Sequence, residues 1–167
     1  MITINKFLME ANNKHLLFLD LDQVLTDFDK AIKKFGKGSI EELEKKSPGL
    51  VWKLIAKAGE SFWSDMDWTV DGKDLWSFAK KYHPIILSAP LNDKASRTGK
   101  AVWVKRELGA HVKLILAKSK DKHHYATKNG ILVDDRKDNI DDWIKAGGIG
   151  ILHTDSASTI KRLKEIL

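Results

Sequence analysis

The chain alternates short apolar runs with helical patterns, and this alternation restricts its possible folds more than any other feature. Each run is too short to form a helix of its own and is typical of a buried strand. The runs lie at 15–21, 84–90, 111–117, 130–135 and 148–153. Helical patterns lie at roughly 70–82, 94–108, 137–146 and 156–167. Repeated strand–helix units predict an α/β fold, a doubly wound, five-stranded parallel sheet with helices on both faces.

One segment interrupts the alternation. Residues 28–69 contain helical patterns and loops but no candidate strand. Ser39 is followed three residues later by Glu42, which is the outline of a capping box at the start of a helix. We interpret the segment as a small helical cap inserted after the first strand. The predicted division is therefore a cap at 28–69 and a core made of 1–27 and 70–167.

Composition excludes several kinds of site. The 167 residues include no cysteine, which rules out disulfide scaffolds, thiolate metal sites and cysteine nucleophiles. No apolar run approaches the roughly 18 residues of a membrane span. The first 15 residues lack the apolar segment of a secretion signal, so we expect a cytoplasmic protein. The net charge of +6 favours anionic partners, although scattered basic residues are, taken alone, more typical of a solvated surface.

Polar side chains collect where the predicted strands end. Asp20 and Asp22 end the first strand, Ser88 the second, and Asp134 with Asp135 the fourth. The carboxyl ends of parallel strands share one edge of the sheet, which is where such folds bind ligands. Each piece alone has a simpler explanation, because carboxylates and serines after strands often cap helices or form turns. Their occurrence together, at the ends of three strands that share this edge, indicates a functional site.

An all-oxygen group of this kind favours a hard cation. Asp20 and Asp22 are two residues apart at a strand end, so their side chains point the same way, and close carboxylates repel unless a proton or a cation lies between them. Mg²⁺ suits such a site and commonly binds carboxylates together with phosphate oxygens. A carboxylate beside Mg²⁺ can attack a phosphoryl group, and a second, protonated carboxyl can donate to the leaving oxygen.

The first strand end resembles the first motif of the haloacid dehalogenase-like (HAD) phosphohydrolase superfamily. The segment LDLDQVLTDF, at residues 19–28, carries this resemblance. It implies that Asp20 is the nucleophile and Asp22 the acid/base, and that both bind Mg²⁺, Asp22 through its backbone carbonyl. The superfamily motif usually has glycine after the second aspartate, whereas this chain has Gln23.

Two further segments resemble motifs of the same superfamily. Ser88 is similar to the hydroxyl residue of the second motif, which implies that Ser88 and the amide of Ala89 hold the transferred phosphoryl group. ILVDDR, at residues 131–136, is similar to the acidic metal motif. This resemblance implies that Asp135 is the direct Mg²⁺ ligand and that Asp134 is a supporting carboxylate.

The remaining motif requires a lysine that neutralises the phosphate and the nucleophile. Lys100, in the helix after the second strand, is our choice, although a lone lysine on a helix is most often simply solvated. A second cluster of lysines follows the third strand and competes with Lys100 for the phosphate. Its members are Lys118, Lys120 and Lys122. His123 and His124 invite a metal interpretation, but adjacent side chains point apart on regular elements, so we expect them at the surface or the pocket rim.

Within the superfamily the chain looks most similar to the 5′(3′)-deoxyribonucleotidases. The motifs that carry this resemblance extend from Asp20 to Arg136. It implies that Phe28 helps to enclose a nucleotide base and that aromatic residues of the cap complete the pocket. The cap candidates are Phe62, Trp63 and Trp68, for which base stacking is one explanation. The core of a small cap explains each of them equally well.

The resulting hypothesis is a Mg²⁺-dependent phosphatase that hydrolyses deoxynucleoside monophosphates through an aspartyl phosphate. A nucleic-acid 3′-phosphatase of the same superfamily is the nearest alternative, since the basic surface suits a polynucleotide end. A non-catalytic, basic nucleic-acid-binding domain is the alternative from another class, and it leaves the strand-end aspartates unexplained. The expected partner is a small phosphorylated substrate; a polynucleotide is not favoured, no membrane partner is expected, and a homodimer is compatible with the sequence.

Overall fold

The protein folds around a five-stranded sheet, in a computed structural model that describes residues 15–167. The strands are β1 (Leu16–Leu19), β2 (Ile85–Ser88), β3 (Leu114–Leu116), β4 (Gly130–Asp134) and β5 (Ile149–Leu152). All are parallel, in the order β3-β2-β1-β4-β5. The predicted α/β class and the five-stranded parallel sheet are confirmed. Residues 1–14, which include the segment considered for a secretion signal and the first part of the predicted core, lie outside the described residues.

The strand order places one crevice at the centre of the sheet. β1 pairs with β2 on one side, where Phe18 lies opposite Ile85, and with β4 on the other, where Leu19 lies opposite Val133. The chain first builds outwards to β3 and then returns across β1 to β4, so the order reverses between β1 and β4. Ligands of open parallel sheets bind beyond the carboxyl ends of the strands at such a reversal. Asp20 and Asp134 come from these two central strands.

Eight helices surround the sheet in residues 15–167. They are α1 (Phe28–Gly36), α2 (Ile40–Lys46), α3 (Leu50–Ala58), α4 (Glu60–Ser64), α5 (Gly72–Ala79), α6 (Lys94–Glu107), α7 (Lys137–Lys145) and α8 (Ser156–Ile166). Short 3₁₀ segments lie at Lys80–Tyr82 and Ser119–Tyr125. The capping box predicted at α2 is present, since Ser39 Oγ accepts from Glu42 N and Glu42 Oε2 accepts from Ser39 N. No described helix is long and apolar enough to cross a membrane.

The inserted helices α1–α4 share one hydrophobic core with a face of the sheet. Buried side chains of the insertion, such as Ile32 and Phe62, belong to the same cluster as Leu17 and Leu19 of β1. The other face of the sheet packs on α7, where the ring of Trp143 lies 5.1 Å from that of Phe18. The insertion is therefore attached to the sheet by continuous packing.

Helix α4 lies unusually close to α6 because α6 carries a glycine at the contact. A Cβ on Gly99 would lie 2.5 Å from Trp63 Cβ and 2.6 Å from the carbonyl oxygen of Glu60. Both distances are shorter than van der Waals contact allows. The next residue of α6 is Lys100, so this contact fixes the inserted helices beside one of the predicted site residues.

Candidate active site

The ends of β1 and β4 bring three aspartates together. Asp20 follows β1, Asp134 ends β4 and Asp135 follows it. One carboxylate oxygen from each lies within 4.8 Å of the other two. Asp20 is 6% exposed and Asp134 is fully buried. In residues 15–167, these three are the only acidic or histidine side chains grouped closely enough to hold one cation.

A buried lysine lies between two of these carboxylates. Lys122 Nζ is 3.0 Å from Asp20 Oδ1 and 2.6 Å from Asp134 Oδ2, and its side chain is 1% exposed. Burial lowers the pKa of Lys122, but the charges of Asp20 and Asp134 outweigh it, so the pKa lies above its usual value. Of the lysines predicted to compete for the phosphate after β3, Lys122 is the one inside the site, whereas Lys118 and Lys120 are exposed.

Asp134 is held by a network that the sequence analysis did not find. Asn139 Nδ2 donates to both carboxylate oxygens of Asp134 at 3.0 Å, and the backbone N of Arg136 donates to Oδ1 at 2.9 Å. Ser119 Oγ in turn donates to Asn139 Oδ1 at 2.6 Å. Together with Lys122, these donors engage both carboxylate oxygens of Asp134, so Asp134 supports the other site residues and is not free to act as a direct cation ligand. The feature of the sequence that could have pointed to Asn139 is its position on the face of α7 that also carries Ile140 and Trp143, both of which are buried.

Asp20 and Asp135 retain the capacity to bind a cation. Asp20 Oδ1 is buried, and its ion pair with Lys122 at 3.0 Å neutralises only part of the local negative charge. Burial, together with the charges of Asp20 and Asp134, raises the pKa of Asp135 to about 7. A hard divalent cation would relieve this repulsion and use oxygen ligands only. The residues present therefore fit Mg²⁺.

A second buried lysine links the ends of β1 and β2. Lys100 Nζ donates to Asp22 Oδ2 and, at 2.9 Å, to Ser88 Oγ. Its side chain is 1% exposed, and its Nζ lies 5.0 Å from the centre of the Trp63 ring. Thr26 Oγ1 donates to the other oxygen of Asp22 at 3.1 Å. The Asp22 carboxylate is thus engaged by Lys100 and Thr26 and lies outside the three-aspartate cation group.

The turn after Asp22 explains why a glycine would suit the next position. Gln23 has φ 62°, in the left-handed region that glycine adopts without steric cost. Its backbone N donates to the carbonyl oxygen of Thr26 at 2.7 Å, which closes the turn. Gln23 therefore adopts, directly after Asp22, a backbone conformation that glycine would adopt without strain.

The four aromatic residues predicted for a substrate pocket lie mainly in packing contacts. Phe62 is fully buried and Trp63 is 3% exposed, and their rings pack against each other and against Phe28. Trp68 packs on Trp103 and donates through Nε1 to a glutamate of α6. The Trp63 ring is the one that also faces a site residue, through Lys100.

The adjacent histidines do not point apart as predicted. The rings of His123 and His124 pack on each other with centroids 4.2 Å apart. They lie in the 3₁₀ segment Ser119–Tyr125, to which the alternation of a strand or the turn angle of an α-helix does not apply. Of the other predicted residues, Ala89 follows Ser88 directly beyond β2 and is partly buried.

Comparison with solved structures identifies the fold. A hydrolase from Streptococcus pneumoniae TIGR4 superposes with a TM-score of 0.54 at 14% sequence identity, over 91% of this chain and 99% of that one. A haloacid dehalogenase-like family hydrolase from Streptococcus pneumoniae gives 0.53 at 11%, over 85% of each chain. A HAD-superfamily hydrolase of subfamily IA, variant 1, from Geobacter sulfurreducens gives 0.52 at 12%, over 90% and 97%.

These similarities show that the chain has the fold of HAD-type hydrolases. No family model matches the sequence, and no curated protein matches it either. The resemblance to the 5′(3′)-deoxyribonucleotidases stays a prediction from the sequence motifs.

Proposed function

We propose that the protein is a Mg²⁺-dependent phosphomonoesterase that acts on deoxynucleoside monophosphates. The observation that carries the proposal is the grouping of Asp20, Asp134 and Asp135 with two buried lysines at the carboxyl edge of a HAD-type sheet. Negative and positive groups buried together at a strand-order reversal suit the binding and transfer of a charged phosphoryl group. The nucleotide part of the proposal rests on the motif resemblance described above.

Asp20 and Asp135 would hold the cation together with the backbone carbonyl of Asp22. When bound, Mg²⁺ would neutralise charge on the phosphoryl oxygens and help to orient the phosphate for in-line attack. Lys122 holds the Asp20 carboxylate in place, and Ser88 offers a hydroxyl to the phosphoryl group.

The reaction then proceeds in two steps on the residues of this chain. A carboxylate oxygen of Asp20 attacks phosphorus and forms an aspartyl phosphate, while the ester P–O bond breaks and Asp22 gives its proton to the departing oxygen. Asp22 next takes a proton from water, whose oxygen attacks phosphorus and releases inorganic phosphate and the Asp20 carboxylate. Lys100 contacts Asp22 and Ser88, so it can leave the Asp22 carboxylate for a phosphoryl oxygen when the substrate enters. The released carboxylate then takes up from solvent the proton that it gives to the departing oxygen.

Phosphate release from a panel of deoxy- and ribonucleoside monophosphates and an aryl phosphate tests the proposal. Turnover should require Mg²⁺, stop in EDTA and be fastest on deoxynucleotides. Activity on the aryl phosphate alone would retain the phosphatase chemistry and contradict the nucleotide substrate. No release from any compound would contradict the phosphatase itself.

Asp20→Asn tests the nucleophile. The amide cannot form the aspartyl phosphate, so kcat should fall by at least about a thousandfold, while the circular dichroism spectrum stays that of the wild type. Asp74→Asn, which changes an exposed aspartate of α5, serves as the matched control and should keep full activity. Retention of more than a few per cent of activity by Asp20→Asn would show that another group attacks phosphorus.

A further inference from the structure

Four exposed basic residues flank the candidate site on its β2–β3 side. Lys94 and Arg97 lie in the first turn and a half of α6, before Lys100 on the same helix. Lys118 and Lys120 lie at the start of the 3₁₀ segment that also supplies Lys122. All four side chains are exposed. We refer to Lys94, Arg97, Lys118 and Lys120 as the basic rim.

Three hydrogen bonds connect the Lys118–Lys120 half of the basic rim to the site. Ser119, between the two lysines of the 3₁₀ segment, donates to Asn139, which donates to Asp134. The backbone N of Ala117 donates to the carbonyl oxygen of Ser88 at 3.1 Å, which holds the start of this segment against the end of β2. Because α6 begins beyond the same strand, both halves of the rim lie at the carboxyl edge of the sheet, where the phosphate would bind.

The rim differs from the opposite side of the site in its charge pairing. Beyond β4, the basic residues at the start of α7 pair with acidic neighbours: Arg136, which precedes the helix, pairs with Asp138, and Lys137 pairs with Asp141, both at 2.6 Å. Within residues 15–167, none of the four rim residues forms an ion pair. Lys100 and Lys122 already supply positive charge inside the site, so the rim provides charge beyond that needed for one phosphate.

We propose that the basic rim binds a second phosphate group of the substrate, next to the phosphate that is hydrolysed. This inference rests on the proposed phosphatase function and extends its substrates to nucleotides that carry two or more phosphate groups, which the rim would make the preferred ones. The same chemistry is offered by a nucleoside 3′,5′-bisphosphate and by the phosphorylated end of a polynucleotide. Exposed lysine and arginine side chains contact phosphate oxygens without reading the base, so the rim contributes affinity that depends on salt.

The test compares three substrates: a deoxynucleoside monophosphate, the corresponding 3′,5′-bisphosphate, and a short oligodeoxynucleotide with a terminal phosphate. The rim variant combines Lys94→Gln, Arg97→Gln, Lys118→Gln and Lys120→Gln. The matched control replaces four exposed lysines in the segments that lead into β2, β3 and β4, at the opposite edge of the sheet, and so removes the same charge. It combines Lys80→Gln, Lys81→Gln, Lys113→Gln and Lys128→Gln.

We expect the wild type to prefer a substrate with two or more phosphates, and this preference to fall roughly tenfold between 50 and 200 mM salt. The rim variant should lose the preference while its kcat/KM on the monophosphate stays within about twofold, and the control should behave as the wild type. If the wild type prefers only one of the two, the bisphosphate or the oligonucleotide, that compound is the type of substrate whose second phosphate binds the rim. Equal behaviour of the rim and control variants would overturn the proposal.

A binding titration separates this proposal from the phosphatase function. The same ligands are added to Asp20→Asn, with and without the rim substitutions, and tryptophan fluorescence or calorimetry reports Kd. If no compound is hydrolysed by the wild type but the rim substitutions still weaken binding of the ligands with two or more phosphates, the phosphatase proposal fails and the rim proposal stands. Equal Kd values with and without the rim substitutions would contradict the rim proposal whatever the activity.

Discussion

The buried ionisable residues of this protein have different surroundings, and these surroundings determine whether the charged form of each is favoured. Lys122 is stable inside the fold because two carboxylates contact it, whereas Asp135 lies among like charges and its pKa rises to about 7. His153 is a third case: it is 7% exposed, its Nδ1 lies 2.8 Å from Thr159 Oγ1, and burial lowers its pKa. Charging this imidazole in the folded state is therefore unfavourable.

The stability of the protein should consequently depend on His153 below neutral pH. Its pKa in the folded state lies below the unfolded value of about 6.5, so its stabilising effect is complete above that pH and is lost as the pH falls towards the folded pKa. The nearby Asp71 and Asp155 reduce the effect without reversing it. In urea unfolding, the free-energy difference between wild type and His153→Gln should shrink from pH 7.5 to 5.5, by at most about 1.4 kcal/mol per pH unit.

The comparison of two proteins isolates His153, because the carboxylates of the site titrate equally in both. His111→Gln, which replaces an exposed histidine, is the matched control, and the effect of His153 is the pH dependence that exceeds the one seen with this control. Parallel curves for wild type and His153→Gln would contradict the prediction.

Among the structural elements, the contact between α4 and α6 connects the packing of the insertion to the site. Trp63 of α4 packs on Gly99 of α6 and faces the ammonium of Lys100. The ring thus has two neighbours with different roles, one that allows the close approach and one that belongs to the candidate site. Any change in the spacing of these helices should alter both stability and the position of Lys100.

Gly99→Ala should separate the two helices. The added Cβ would meet Trp63 Cβ and the Glu60 carbonyl at 2.5 and 2.6 Å, and because backbone atoms are involved the helices must shift. We expect a loss of about 1–3 kcal/mol in the free energy of unfolding, partly offset by the better helix propensity of alanine, and a lower kcat/KM. Val102→Ala, an alanine substitution on the exposed side of the same helix, is the control. Unchanged stability and activity of Gly99→Ala would show that the contact is unimportant.

The structural elements also show how much of the fold and of the candidate site could be predicted from the sequence alone. Strand–helix alternation was sufficient to predict the five strands and to place Asp20, Ser88 and Asp134 at one edge, since parallel strands leave no other arrangement. The sequence could not reveal Asn139, because its role depends on which face of α7 meets the site. Nor could the sequence distinguish Lys122 from the neighbouring Lys118 and Lys120, because only the packing shows that Lys122 is the one that contacts the aspartates.

At the scale of the whole molecule, the repulsion among Asp20, Asp134 and Asp135 is a cost that folding bears until a cation binds. Mg²⁺ should therefore raise the melting temperature. At a concentration one hundred times Kd, the gain is about 2.7 kcal/mol, or about 5–10 °C for a chain of this size. Scanning calorimetry with Mg²⁺ and with EDTA measures the shift.

Asp135→Asn distinguishes this site from general binding of the cation. The substitution should abolish most of the Mg²⁺-dependent shift and should raise the melting temperature in EDTA, since it removes one of the repelling charges. Asp74→Asn should retain the wild-type shift. An undiminished shift in Asp135→Asn would place the cation elsewhere on the molecule.

The central position of β1 has a consequence for how the protein is made. β1 is synthesised before its two neighbours, yet Phe18 pairs with Ile85 on one side and with Leu132 on the other. At ~5–20 residues per second, the ribosome would complete the second partner about 6–23 s after β1 itself. Until β4 is complete, the apolar strand β1 keeps at least one edge open, and open strand edges are prone to aggregation. Asp20 meets Asp134 only at the end of this interval, so the candidate active site assembles late in translation.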